Sequence, residues 1–193
     1  MAPRIFITSD THFGHDRDFI YGPRGFSSVQ ESDEEIIKRW NETVAPEDIV
    51  YLLGDIMLND NENGIKCLKQ LNGNIKIIFG NHDTDRRIAL YTQVAEESQG
   101  KIEVLGYATM LKYKKWQFYL SHHPTLTANS DDYEKTPRQH LVNLFGHTHQ
   151  LELFYENNPY MYHVGLDSHG CYPVCIDTII EDIKRRTSNT GAF

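Results

Sequence analysis

An α/β fold, with a mixed β-sheet core and helices outside it, is predicted by three observations on this 193-residue chain. Short apolar runs rich in β-branched and aromatic residues recur along it. Stretches of helical periodicity separate these runs in the first half, which implies right-handed parallel crossovers. From Ile102 to Val164 the runs follow one another with little helix between, so the pairing there is of another kind.

The elements follow in order. Arg4 to Thr8 (RIFIT) is the first strand and leads directly to Ser9-Asp10. The first helix opens at Ser32, whose spacing from Glu35 is that of a capping box. Ile36, Ile37, Trp40 and Val44 then recur at helical spacing, and Pro46 ends the run. Ile49 to Leu53 (IVYLL) is the second strand and stops at Gly54-Asp55. Ile65, Leu68 and Leu71 form the stripe of a second helix closed by Gly73. Ile75 to Phe79 (IKIIF) runs into Gly80-Asn81, and Thr84 to Glu97 is a third helix. Trp116 to Leu120 (WQFYL) leads to Ser121-His122, and Leu141 to Phe145 (LVNLF) to Gly146-His147. These strands are expected to be buried mostly on both faces. Asp177 caps a last helix carrying Ile179, Ile180 and Ile183, with Lys184, Arg185 and Arg186 at its negative pole. Residues 187–193 (TSNTGAF) read as a frayed tail.

The length suits one domain, and no repeat, low-complexity tract or linker divides residues 1–193. No apolar run approaches the roughly 18 residues of a membrane span, and the start, MAPRIFITSD, has no signal-peptide form. Cys67, Cys171 and Cys175 cannot make a complete disulfide set and lack structural-zinc spacing, which fits a reducing cytoplasm. The formal net charge of −8 argues against general binding to duplex nucleic acid. It leaves a phosphate substrate open, because bound cations reverse the local field.

The chemistry lies at the strand ends. Asp10, His12, Asp55, Asn81, His122, His147 and His149 all sit at or just after a strand, where sites of parallel α/β sheets form. Each pair is weak alone: an Asp after a strand is often a cap, and Gly-Asp a turn. Together they converge on one edge. Seven N and O donors exceed what one catalytic zinc takes, and suit two adjacent ions sharing a carboxylate. The mixed donor set favours Mn, Fe, Co, Ni or Zn over Ca or Mg.

The order Asp10-x-His12, Gly54-Asp55, Gly80-Asn81-His82-Asp83, His122 and Gly146-His147-x-His149 resembles the calcineurin-like metallophosphoesterase superfamily across nearly the whole chain. Thr11 to His15, Trp40-Asn41 with Asp48 to Asp55, and His163-Val164-Gly165-Leu166-Asp167 with Pro173 are similar to a small bacterial and phage-encoded branch of it, found in a bacterial cell or a phage-infected host. The resemblance implies a β-sandwich of two mixed sheets flanked by helices, in α-β-β-α layers. It implies that Asp10, His12 and His149 hold one metal, with manganese the foremost candidate, and Asn81, His122 and His147 a second, Asp55 bridging. A shared water of lowered pKa would attack phosphorus in line. His82 would donate a proton to the leaving oxygen, Asp83 would orient or tune His82, and Asn81 would also contact phosphate.

Position 163 is His where this branch's pattern has Asn, and both a structural and a catalytic reading stand for it. His15 is read as either a phosphate or metal contact or a local turn residue, and Arg17 with it as a substrate contact. His123 reads as structural or rim, and His140 and His169 have no assigned task. The segments Phe13 to Ser32, with Arg17, Tyr21, Arg24 and Phe26, and Thr125 to Arg138 either overhang the site or are plain surface connections. No length remains for a large cap, so an open site suits small phosphodiesters, nucleotides, cyclic nucleotides or nucleic-acid ends. A phosphodiesterase or phosphatase is the leading reading. A metal-dependent nuclease on single strands or ends and a non-catalytic binding module are the alternatives.

Overall fold

The computed structural model describes residues 2–125 and 141–189. Five strands form one sheet: β1 (Ile5–Thr8), β2 (Ile49–Leu53), β3 (Asn74–Ile78), β4 (Ile102–Gly106) and β9 (Val174–Cys175), in the order β4-β3-β2-β1-β9. Four make the other, β5 (Ala108–Tyr113), β6 (Trp116–Ser121), β7 (Leu141–Phe145) and β8 (Met161–His163), in sequence order. Both sheets are mixed. In the first, β1 to β4 are parallel and β9 antiparallel to β1. In the second, β5 is antiparallel to β6, and β6, β7 and β8 are parallel.

The helices are α1 (Asp18–Tyr21), α2 (Val29–Thr43), α3 (Asn61–Gln70), α4 (Asp85–Glu97) and α5 (Ile176–Asn189). Strand alternation divides the core. Phe6, Leu52 and Ile77 pack on one face of the first sheet with Ile36, Trp40 and Leu68 of the helices. Their neighbours Ile7, Leu53 and Ile78 point the other way, into a cluster with Phe118, Leu120, Val142 and Leu144 of the second sheet and Ile179 and Ile183 of α5. Two-sided burial explains why these strands read as continuous apolar runs.

Three local expectations are corrected. Ser28, not Ser32, caps α2: its hydroxyl accepts from Glu31 N at 3.2 Å, and Glu31 accepts from Ser27 N and Oγ, while Ser32 is buried one turn into the helix. Asp177 lies inside the first turn of α5 and its carboxylate pairs with Lys114 and Tyr113 Oη. The stretch read as tail is helical as far as Asn189, with Thr187 buried and its hydroxyl donating to Ile183 O. The remainder of that tail, most of the Thr125 to Arg138 loop, and His140 lie outside the described residues.

All three cysteines are free. Among the described residues no helix is long and apolar enough to cross a membrane.

Candidate metal centre

The chain after β1 continues as a ladder beside the chain after β2. Asp10 N donates to Gly54 O at 3.1 Å, His12 N to Asp55 O at 3.0 Å and Phe13 N to Ile56 O at 2.9 Å. Ser9 Oγ and Thr11 Oγ1 brace the same seam on Leu53 O and Ile56 O. The donor-bearing residues of two strands are thereby locked side by side just past the sheet edge. Gly146 N, after β7, bonds His122 O after β6, and His147 N donates to Asp10 Oδ2 at 2.9 Å, joining the second sheet to the first.

This crowding explains the glycines that precede the donors. A Cβ on Gly80 would strike Asp55 Oδ1, and one on Gly146 would strike Ser9 Oγ and Asp10 Oδ2. Asp10, His12, Asp55, His147 and His149 all have positive φ, between 49° and 67°, a region that non-glycine residues seldom occupy. Five of the seven expected donors therefore carry backbone strain, as residues of functional sites do.

Asp10, His12 and His149 bring one donor atom each to a common point, as do Asp10, Asp55 and His122, and His122, His123 and His147. In the first group His12 Nε2 and His149 Nε2 each stand 3.8 Å from Asp10 Oδ1. That is too long for a hydrogen bond, and within the roughly 4.2 Å that two metal bonds of about 2.1 Å can span. Asp10 Oδ1 and His12 Nε2 are buried without a hydrogen-bond partner. Orphaned acceptors of this kind are costly unless a cation meets them, so the residues present fit a divalent metal.

Asp55 Oδ2 lies 3.9 Å from His12 Nε2 and 3.3 Å from His122 Nε2, between the two sets. Asn81 Oδ1 is 2.9 Å from His122 Nε2. Burial alone would raise the pKa of Asp10, but the adjoining His12 imidazole, with the charges of His122 and His149, holds it far below the usual carboxylate range. Burial would lower His122; its bond to Asp55 and the charges of Asp10 and Asp55 lift it to about 9.

Other contacts fix the imidazoles from behind. His122 Nδ1 meets Leu53 O at 2.8 Å, His149 Nδ1 meets Asp167 Oδ2 at 2.9 Å, and His15 Nδ1 lies 3.3 Å from His12 Nδ1. Each leaves Nε2 facing the site, the arrangement by which outer groups orient metal-binding histidines.

The model of the calcineurin-like phosphoesterase superfamily domain matches residues 4–166. The chain belongs to that superfamily. Among its relatives are an uncharacterized protein of Methanocaldococcus jannaschii, 30% identical over 94% of this chain and 92% of that one, and the gene 66 protein of Mycobacterium phage D29, 29% identical over 93% and 97%. A solved protein of unknown function from Aquifex aeolicus superposes with TM-score 0.63, at 19% identity over 93% of this chain and 98% of that one. Another, described as a novel archaeal phosphodiesterase, gives TM-score 0.50 at 20% identity over 84% and 82%. At such identities the two solved structures speak for the shared fold.

Within this calcineurin-like site the remaining residues fall as follows. His82 is 45% exposed; its N donates to Asp55 Oδ1 at 2.9 Å, and its Nε2 is 4.0 Å from Asp55 Oδ2. Asp83 does not take its expected place at the His82 ring. Its carboxylate accepts from Gly80 N (2.7 Å), Asp55 N (2.9 Å) and Tyr91 Oη (2.7 Å), so it braces the backbone of both donor loops. Burial raises its pKa. Arg17 is exposed at the start of α1. His163 is fully buried, its Nδ1 2.8 Å from Ser168 Oγ, and the neighbouring Tyr162 stacks on His169.

Arg24 and Phe26 do not overhang the site. Phe26 is in the core, and the Arg24 side chain, 1% exposed, donates to Asp10 O and pairs with Asp167. His123 is brought within reach of His122 and His147, a donor that the sequence reading set aside; its place directly after His122 was the available signal.

Proposed function

We propose that this chain hydrolyses phosphodiesters or phosphomonoesters with two divalent cations, one held by Asp10, His12 and His149, the other by Asn81, His122 and His147, with Asp55 shared. The observation that carries the reading is Asp55 Oδ2 standing between His12 and His122, beside the orphaned Asp10 Oδ1. The N/O donor set suits Fe, Co, Ni and Zn as well as Mn, and manganese leads here on the family resemblance.

Divalent cations held by these residues would supply Lewis acidity and would lower the pKa of water so that hydroxide is available near neutral pH. The chain's own groups do the rest. His82, half exposed and tethered through its backbone to Asp55, is free to reach the leaving oxygen and deliver a proton. The Asn81 amide has a second polar atom for a phosphate oxygen. His15, whose Nδ1 is 3.3 Å from His12 Nδ1, and the exposed Arg17 two residues on are the further groups we assign to the substrate's phosphate.

The test is hydrolysis of para-nitrophenyl phosphate and its bis-para-nitrophenyl diester by chelator-stripped protein, before and after Mn²⁺, Ni²⁺ or Zn²⁺. Turnover restored by metal is the expected result, and the diester to monoester ratio sorts phosphodiesterase from phosphatase. No turnover with any metal on a protein that binds two ions would favour the binding-module reading.

A further inference from the structure

Beside His82 and His149 lies a cleft of ≈ 440 Å³ whose other walls include Phe19, Ile20, Pro23 and Leu58. A larger cavity, ≈ 1050 Å³, lies elsewhere, along α2 and α3, and its Asp16, Asp33, Glu34, Asp60 and Glu62 outnumber Lys38 and Arg86, which makes it unfavourable for a phosphate. The cleft differs in chemistry from both that cavity and the donor cluster. Four apolar side chains border a site otherwise made of imidazoles and carboxylates.

Phe19 is the distinctive member. It sits on the one-turn helix α1 and is 66% exposed. Its ring meets His15 edge-on, with centroids 5.9 Å apart and an interplanar angle of 87°. In a T-shaped contact His15 can cover at most one face of the Phe19 ring, so on this largely exposed side chain an aromatic face stays bare, and a bare aromatic face beside a reaction centre is a stacking platform.

Resting on the phosphoesterase reading, we propose that this cleft receives a planar aromatic group of the ester, laid against Phe19, and that the substrates are therefore nucleotides. The His82 side chain lines the cleft, so the organic group that receives its proton departs into the same space. Phe19, Ile20, Pro23 and Leu58 offer no side-chain hydrogen bond to a bare sugar or a peptide. A flexible acyl chain would lose more rotamer freedom on an open wall than a rigid base does. Stacking on an aromatic ring accepts every base, so the cleft selects for a base without choosing among them.

Adenosine 5′-monophosphate and ribose 5-phosphate share the sugar phosphate and differ by the base. Both are measured as competitive inhibitors of para-nitrophenyl ester hydrolysis and by calorimetric titration of the metal-loaded protein. The nucleotide is expected to bind about 5- to 100-fold more tightly, the range of one base-on-aromatic stack. Phe19→Ala should bring that ratio close to one, and Phe19→Trp should keep it. Equal binding of the two ligands to a protein that turns over the ester, or a ratio untouched by Phe19→Ala, overturns the cleft assignment alone. No turnover with any metal and no binding of either ligand overturns the phosphoesterase reading and this proposal with it.

Discussion

Asp167 Oδ2 holds the Nδ1 edge of His149 at 2.9 Å, while the Nε2 edge of the same ring faces Asp10 Oδ1 at 3.8 Å. Arg24 completes the chain of contacts, donating from Nε to Asp167 Oδ1 at 2.9 Å and from Nη2 to Asp10 O at 2.8 Å. One buried guanidinium thus positions both an acid and, through Asp167, an imidazole of the same donor triad.

Removing that support should weaken one metal more than the other. Asp167→Asn is expected to lower affinity at the Asp10, His12, His149 position by about 10- to 100-fold, the usual cost of losing an outer partner. Metal titration of the stripped variant, with metal content after dialysis, reads this. Equal weakening at both positions would mean a general loss of fold, which circular dichroism would reveal.

Asp55→Asn should act on both positions together. Its Oδ2 lies between His12 and His122, and an amide oxygen is a poorer, uncharged bridge. Retention of two tightly bound ions and full turnover would remove Asp55 from the bridging role.

His82→Ala should leave the metal content unchanged, because the donors of both proposed sets remain. It should slow esters of alkyl alcohols by about 10²- to 10⁴-fold while sparing para-nitrophenyl esters, whose leaving group needs no proton. Equal losses on both substrate types would exclude proton donation.

The pH dependence of folding should carry the mark of Asp48. Burial pushes its pKa up, but the Arg4 guanidinium and the Ala45 and Arg4 amides outweigh this and hold it below the ordinary carboxylate value. A depressed folded pKa contributes stability above the unfolded value, near 3.9, and that stability is lost as pH falls through the folded pKa. Asp48→Asn is therefore expected to cost about 1 kcal/mol at neutral pH, since Arg4 is half exposed and screened. In denaturant melts the gap to wild type should begin to narrow as pH falls below about 3.9 and close only below the lower folded pKa.

Much of this was legible before any coordinates. The five strand runs stand within a residue of RIFIT, IVYLL, IKIIF, WQFYL and LVNLF. Residues covered on both sides of a sheet are apolar at consecutive positions, whereas WQFYL, expected to be buried on both faces, alternates, with Gln117 exposed and Tyr119 half-buried on the open face of β6. The α2 cap was misplaced by one turn because Ser28-Glu31 and Ser32-Glu35 have the same spacing, and only burial of Ser32 separates them.

The sequence by itself determined which side chains follow each strand, and strand direction made Asp10, Asp55, Asn81, His122 and His147 converge, since parallel strands end on a common edge. Tertiary structure alone decided what stands behind them. Asp167 on His149, Arg24 on Asp10 and Asp167, and Asp83 on the Asp55 amide are contacts between separate segments, 143 residues apart for Arg24 and Asp167. Loops carry no periodicity, so their partners are set by how two sheets pack and by the need of each buried polar group for a hydrogen bond.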